Sequence, residues 1–89
     1  MDFPFTQEKH DGYIIRTFSK DVDTDELKWH YDLENRIVTI LEGEGWEFQM
    51  DNQLPVELKV GDTHSIPKNI YHRIKRGQTD LKIKIEFYE

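Results

Sequence analysis

Apolar residues in this chain recur at every second position over most of its length, the period of a half-buried β-strand. Toward the C-terminus Leu81, Ile83, Ile85 and Phe87 fall in one phase, and Lys82, Lys84 and Glu86 in the other. Val56, Leu58 and Val60 alternate with Glu57 and Lys59, and Trp46, Phe48 and Met50 alternate with Glu47, Gln49 and Asp51. Residues 36–41 form a nearly continuous β-branched run, as expected for a strand covered on both faces. Residues 13–18 read as a further, less regular strand. Turn signals separate these segments at Gly43-Glu44-Gly45, Asp51-Asn52, Gly61-Asp62 and Gly77-Gln78. A helical period is nowhere sustained. Short strands punctuated in this way predict an all-β antiparallel sandwich or small barrel with at most a turn of helix. Residues 1–12, which contain Pro4 and Gly12 and no sustained period, read as an N-terminal arm before a single domain of residues 13–89.

Composition narrows the picture. A chain of 89 residues supports one small domain with a thin core, burying about 60–65% of the surface its unfolded form exposes. There are no cysteines, which excludes a disulfide scaffold, a thiolate zinc site and a cysteine nucleophile. Twelve basic against eighteen acidic residues give a net charge of -6, so the chain lacks the global field that draws proteins onto nucleic acid or anionic lipid. The basic cluster Arg73, Lys75, Arg76 has no aromatic platform beside it and does not change that expectation. No apolar run approaches the roughly 20 residues of a membrane span, and the acidic start lacks the features of a signal peptide. A soluble, cytoplasmic protein with no nucleic-acid or membrane partner is expected. Motifs of serine hydrolases, phosphate-binding loops and helical zinc proteases are missing from the sequence.

Two segments carry a more specific signal. WHYDLENRIVTILEGEG resembles the first motif of the cupin superfamily, G(X)5HXH(X)3-4E(X)6G, and GDTHSIPKNIYH resembles the second, G(X)5PXG(X)2H(X)3N. Taking His30 as the first histidine places Asp32 on the second, Arg36 on the glutamate and Gly43 on the closing glycine. In the second motif Gly61, Pro67 and His72 match, and Asn69 replaces a glycine that adopts an unusual backbone conformation, for which Asn is the next most tolerant residue. Thr24, Asp32, Arg36 and Arg76 depart from the pattern. The resemblance covers about half the chain and implies a jelly-roll barrel. It also implies that His30, Asp32 and His72 converge inside the barrel on one divalent metal (Fe, Mn, Ni or Zn), with no organic cofactor.

Residues i and i+2 of a strand share a face, so His30 and Asp32 project together with Lys28, while Leu27, Trp29 and Tyr31 face the other way. Two histidines and a carboxylate suit a facial metal site with open positions. Arg36 cannot be a ligand, because a guanidinium keeps its protons. It is expected either to pair with Asp32 or Glu42, or to hold an anionic group of a small-molecule ligand. His64 is expected at the surface or in packing, His10 in solvent, and Trp46, Phe48 and Met50 in the core. Two classes of function follow from the resemblance. One is a metal-dependent dioxygenase, isomerase or lyase for a small polar or anionic metabolite. The other is a non-catalytic cupin whose cavity is closed by an Asp32–Arg36 pair. An outward stripe of Leu27, Trp29 and Tyr31, continued by Ile37, Thr39 and Leu41, together with Phe3 and Phe5 in the arm, predicts a homodimer.

Overall fold

The computed structural model describes residues 3–89, and in it the alternating segments form two antiparallel sheets that face each other across one apolar core. The larger sheet has five strands in the spatial order β1 (Phe5–His10), β2 (Tyr13–Phe18), β8 (Leu81–Tyr88), β3 (Asn35–Glu42) and β6 (Thr63–Ile66). The smaller sheet has the order β5 (Val56–Glu57), β4 (Glu47–Met50), β7 (His72–Lys75). Among the described residues helix is confined to one 3-10 turn, Thr24–Glu26, capped by the Asp23 carboxylate, which accepts from the Asp25 N–H. The all-β expectation holds.

The segment with the cleanest alternation takes the most enclosed place. Strand β8 lies between β2 and β3, and Leu81, Ile83 and Ile85 project into the core. Register then fixes which β2 and β3 residues follow them inward. Ile14 pairs with Ile85, Arg16 with Ile83 and Phe18 with Leu81, while Val38 and Ile40 of β3 pair with Ile85 and Ile83. The chain covers only one face of β3. Ile37 and Leu41 point outward and are each 36% exposed, so the expected cover on both faces does not come from within the chain.

Two other expectations are corrected. The segment expected as an N-terminal arm is strand β1 from Phe5 to His10, in register with β2 from Phe5↔Phe18 to His10↔Tyr13. It shows no apolar period because its residues after Phe5 are exposed; backbone pairing and the Phe5–Phe18 ring contact at 5.4 Å hold it. Val56 and Val60 are exposed although they alternate with polar residues. They flank the short edge of the small sheet, where only Leu58 reaches the core, tied by its N–H to the Trp46 carbonyl at 2.8 Å.

Trp46 is fully buried, and its indole N–H donates to the Thr79 carbonyl at 2.6 Å, satisfying the polar atom that burial would otherwise strand. The turn carrying Thr79 is clamped to the Gly43–Gly45 turn by the Gln78 N–H, which donates to the Glu44 carbonyl at 2.8 Å. At Gly77 the two backbones come so close that a Cβ would collide with the Glu44 carbonyl oxygen and lie 2.5 Å from the Trp46 nitrogen. Gly77→Ala is therefore expected to destabilise the fold by about 1–3 kcal/mol, the usual cost of forced overpacking. Thermal denaturation followed by circular dichroism checks it, and an unchanged melting temperature would contradict this account.

Candidate metal centre

The two motif histidines are forty-two positions apart (72 − 30) and directly opposite each other. The His30 N–H donates to the His72 carbonyl at 3.0 Å, and the His72 N–H donates to the His30 carbonyl at 2.8 Å. Such a mutually bonded antiparallel pair sends both side chains to the same face. The ring centroids lie 4.4 Å apart in an edge-on arrangement. His72 is buried, whereas His30 sits exposed at the rim of the same cavity. Residues 28–32 are not a regular strand; the His30–His72 bridge is their only ladder contact among the described residues. Asp32 follows two residues later on the same face. Its carbonyl accepts from the Asn69 N–H at 2.8 Å, and Asn69 has the left-handed φ of 64° expected at that motif position. The second motif thus holds the first in place through its backbone.

The donor atoms of His30, Asp32 and His72 lie within 4.8 Å of one another. Both imidazoles are pre-set in the same way. His30 Nδ1 donates to the Lys28 carbonyl and His72 Nδ1 to the Ile70 carbonyl, each at 2.9 Å, with the tautomers assigned from these partners. A neutral ring held this way presents its lone pair at Nε2, the orientation in which histidine binds metals. His72 Nε2 is 3.3 Å from Asp32 Oδ2. With the ring neutral, two acceptors face each other there; a proton on Nε2 or a divalent cation between them resolves the conflict. The donor set fits a metal.

Burial alone would raise the Asp32 carboxyl, but in the metal-free site with the histidines protonated the hydrogen bond from His72 and the charges of Arg36, His72 and His30 outweigh it and hold the group below its ordinary 3.8. A carboxyl depressed in the folded state contributes stability that is complete above the unfolded value and is lost as pH falls through the folded one. Asp32→Asn should therefore flatten the acid limb of the stability curve from 3.8 downward. Denaturant titrations at several pH values check this, and parallel limbs for both proteins would refute it.

Arg36 also points into the cavity, from β3, with its Nη2 3.6 Å from Asp32 Oδ1 and 3.1 Å from Glu34 Oε1. Glu42, the other partner considered for it, pairs instead with Lys82 at 3.1 Å. The Asp32–Arg36 contact does not close the cavity, which has a volume of about 410 Å³. Sequence reasoning missed Arg16 altogether. It occupies the inward phase of β2, between Ile14 and Phe18, and lines the same cavity. Burial, and then the neighbouring Arg36 charge, bring its guanidinium down to about 10, so it stays protonated at neutral pH. The only available signal was its place in the alternation, which the irregular apolar run around it obscured.

The remaining expectations divide. His64, expected in packing or at the surface, lines the cavity with its ring 5.9 Å from Phe48; it lies outside the His30–Asp32–His72 cluster. His10 stacks on Tyr13 at 4.7 Å and is not part of the cavity wall. Trp46 and Phe48 belong to the core, and Met50 packs against it. Leu27 was expected to face outward but turns inward and lines the cavity, because the 3-10 turn ends on it and the strand phase begins only afterwards. Trp29 and Tyr31 do face outward, under Arg73 at 4.7 Å and against Tyr71 at 5.1 Å. The expected continuous stripe does not form. Trp29 and Tyr31 flank the small sheet, whereas Ile37, Thr39 and Leu41 lie on the outer face of the large one.

No protein-family profile and no curated protein matches the sequence. Solved structures do match the fold. A structure of the DMSP lyases RdDddP and RnDddQII superposes with a TM-score of 0.74 at 17% identity, over 86% of this chain and 37% of that one. A cupin-2 domain protein from Shewanella frigidimarina gives 0.64 at 20% identity, over 90% and 76%. The chain has the cupin fold. FeII HppE in complex with substrate gives 0.68 at 16% identity, over 98% of this chain and 55% of that one. The chain spans well under two thirds of the lyase and HppE chains that it resembles. Against the cupin motifs, its departures now have structural roles. Asp32 stands beside the two histidines, Arg36 lies against Asp32, and Arg76 donates to the Val22 carbonyl at 2.9 Å. No helix among the described residues is long and apolar enough to cross a membrane.

Proposed function

We propose that this cupin-fold protein is a divalent-metal-dependent enzyme of the dioxygenase, isomerase or lyase type, acting on a small polar or anionic metabolite. One observation carries the reading: His30, Asp32 and His72 converge with both Nε2 atoms pre-set, at one end of a cavity that also holds Arg36. His30, Asp32 and His72 would hold Fe, Mn, Ni or Zn, and the metal would supply Lewis-acid or oxygen-activating chemistry. Arg36 orients the substrate's anionic group, and the apolar walls from Phe48, Ile66 and Leu58 exclude water from it. Fold relatives that include lyases and an iron protein support the class without naming the substrate.

Metal analysis of protein purified without a histidine tag tests the proposal. Near-stoichiometric divalent metal is expected, and none after growth with supplemented metals would overturn it. The Arg36–Asp32 contact favours a second reading, a metal-free ligand-binding module in which the arginine occupies the carboxylate, and that second outcome would select it.

Assembly as a homodimer is a further part of the proposal. On the outer face of the large sheet, Ile37, Thr39 and Leu41 of β3 and Ile15 of β2 flank the charged row Lys82, Lys84 and Glu86 of β8, a mixed face whose apolar margins a second copy would cover. Light scattering should report about twice the 10.7 kDa chain mass, and the mass of a single chain would rule the dimer out.

A further inference from the structure

Arg16 is held in the cavity by neutral partners only. Its Nε and Nη2 donate to the single oxygen Gln7 Oε1, at 3.1 and 2.9 Å, from the neighbouring strand β1. The Phe5 ring lies against its face, 3.8 Å from Cζ to the ring centroid. Among the described residues no carboxylate comes within ion-pair distance of it. One edge of the guanidinium is thus anchored, while Nη1 and the second Nη2 hydrogen have no hydrogen-bond partner among the described residues, in a side chain that lines the cavity. A planar fork with one edge fixed and the other open suits bidentate capture of a carboxylate.

Farther across the same sheet the cavity wall has unmet polar capacity of its own. Arg36 Nε and His64 Nε2 are buried and lack a hydrogen-bond partner. Buried polar atoms are seldom left unpaired, so a polar ligand is the natural complement. Arg16 on β2 and Arg36 on β3 lie on either side of β8, two strand spacings of about 4.8 Å each. They are offset along it by four residues (87 − 83), Arg16 pairing with Ile83 and Arg36 with Phe87, and both side chains line the cavity. The charges lining the cavity are Arg16, Lys28 and Arg36 against Glu26 and Asp32, a sum of +1 (3 − 2) in a chain whose net charge is -6. A divalent cation on the histidine cluster would bring the sum to +3. Against that +3 a dianion compensates two charges and a monoanion one; against the metal-free +1 the preference for a dicarboxylate rests on its two separate contacts, with Arg16 and with the Arg36 end.

We infer that the cavity takes a small dicarboxylate, with one carboxylate gripped by Arg16 and the other directed toward Arg36 and the His30–Asp32–His72 end. The inference rests on reading this cavity as the substrate site and adds the substrate's charge class and a second anchor. Arg16 is then a binding residue, and Gln7 and Phe5 are its positioning residues. Their place on β1 explains why the first strand matters to the site despite its exposed surface.

Calorimetric titration with succinate, malonate and acetate tests the inference, using protein stripped with EDTA and protein loaded with Mn²⁺. Succinate or malonate should bind at least about tenfold more tightly than acetate. Arg16→Met should weaken dicarboxylate binding by tenfold or more, and Arg16→Lys should recover only part of it because the fork is lost. Gln7→Leu, which keeps Arg16 and releases its anchored edge, should give an intermediate loss and covers the case in which the Arg16 variants do not fold. In wild-type protein the Arg16 Nε–H resonance should shift as succinate is added. Succinate binding unaffected by Arg16→Met or by Gln7→Leu, acetate binding as tightly as succinate, or no dicarboxylate binding in either form would overturn the inference. The metal reading fails separately. Arg16-dependent succinate binding to stripped protein that loads no Mn²⁺ would sustain this site and sink that reading, whereas Mn²⁺ loading with Arg16-independent succinate binding would do the reverse.

Discussion

His72→Ala is expected to abolish divalent-metal binding, and His30→Ala to do the same, with the β-rich circular dichroism signal retained in both. Each variant deletes one of the three proposed ligands, whose donor atoms lie within 4.8 Å of one another. Loss of an outer-shell partner alone typically costs 10–100-fold in metal affinity, so removing a ligand should exceed about 100-fold. The fold should survive because the contact joining these segments is made by backbone. The paired bonds between His30 and His72 use main-chain atoms that alanine retains. Arg36→Glu is expected to move affinity the other way. It removes a positive charge whose Nη2 lies 3.6 Å from Asp32 and restores the carboxylate that cupin motifs usually carry there. Calorimetric titration with Mn²⁺, Fe²⁺ or Ni²⁺ reads all three variants. Wild type and variants that cannot be told apart would sink the metal site.

Trp46→Ala should produce the largest loss of stability of any single core substitution. Trp46 is fully buried, its ring lies 6.0 Å from Phe18 of the facing sheet, and its N–H ties it to the turn before β8. Truncating a buried aromatic costs about 3–5 kcal/mol, and here the Thr79 carbonyl also loses its donor. Domains of this size have total stabilities of about 5–15 kcal/mol, so the variant keeps only a fraction of its margin. At roughly 4–8 °C per kcal/mol, the melting temperature should fall by more than about 10 °C. Trp46→Phe, which retains most of the volume and loses only the hydrogen bond, should fall by much less. Equal melting temperatures for the two variants would show that the indole packing does not matter as argued.

These outcomes bear on different layers of the protein, and the layers were not equally legible in the chain. The strand content was plain because a half-buried strand must alternate, and Leu81, Ile83 and Ile85 do so without a break. The strand of residues 5–10 left no such trace. It lies at a sheet edge, where backbone pairing needs no apolar period. Asn69 was legible because few residues tolerate a positive φ, and His30, Asp32 and His72 because their spacing matched motifs.

What the sequence determined by itself is therefore the local part: which segments extend, where they turn, and which residue types can ligate a metal. Tertiary structure alone decided which of these meet. His30 and His72 face each other only because an isolated bridge pairs their backbones. Leu27 and the aromatic residues after it part company because a 3-10 turn resets the phase between them. Arg16 enters the cavity because its register with Ile83 sends it inward, and the same sheet turns Ile15 out. Local periodicity is a property of neighbours in the chain, whereas cavity chemistry depends on strand register. Register is set by contacts between residues dozens of positions apart, which no single window of sequence contains.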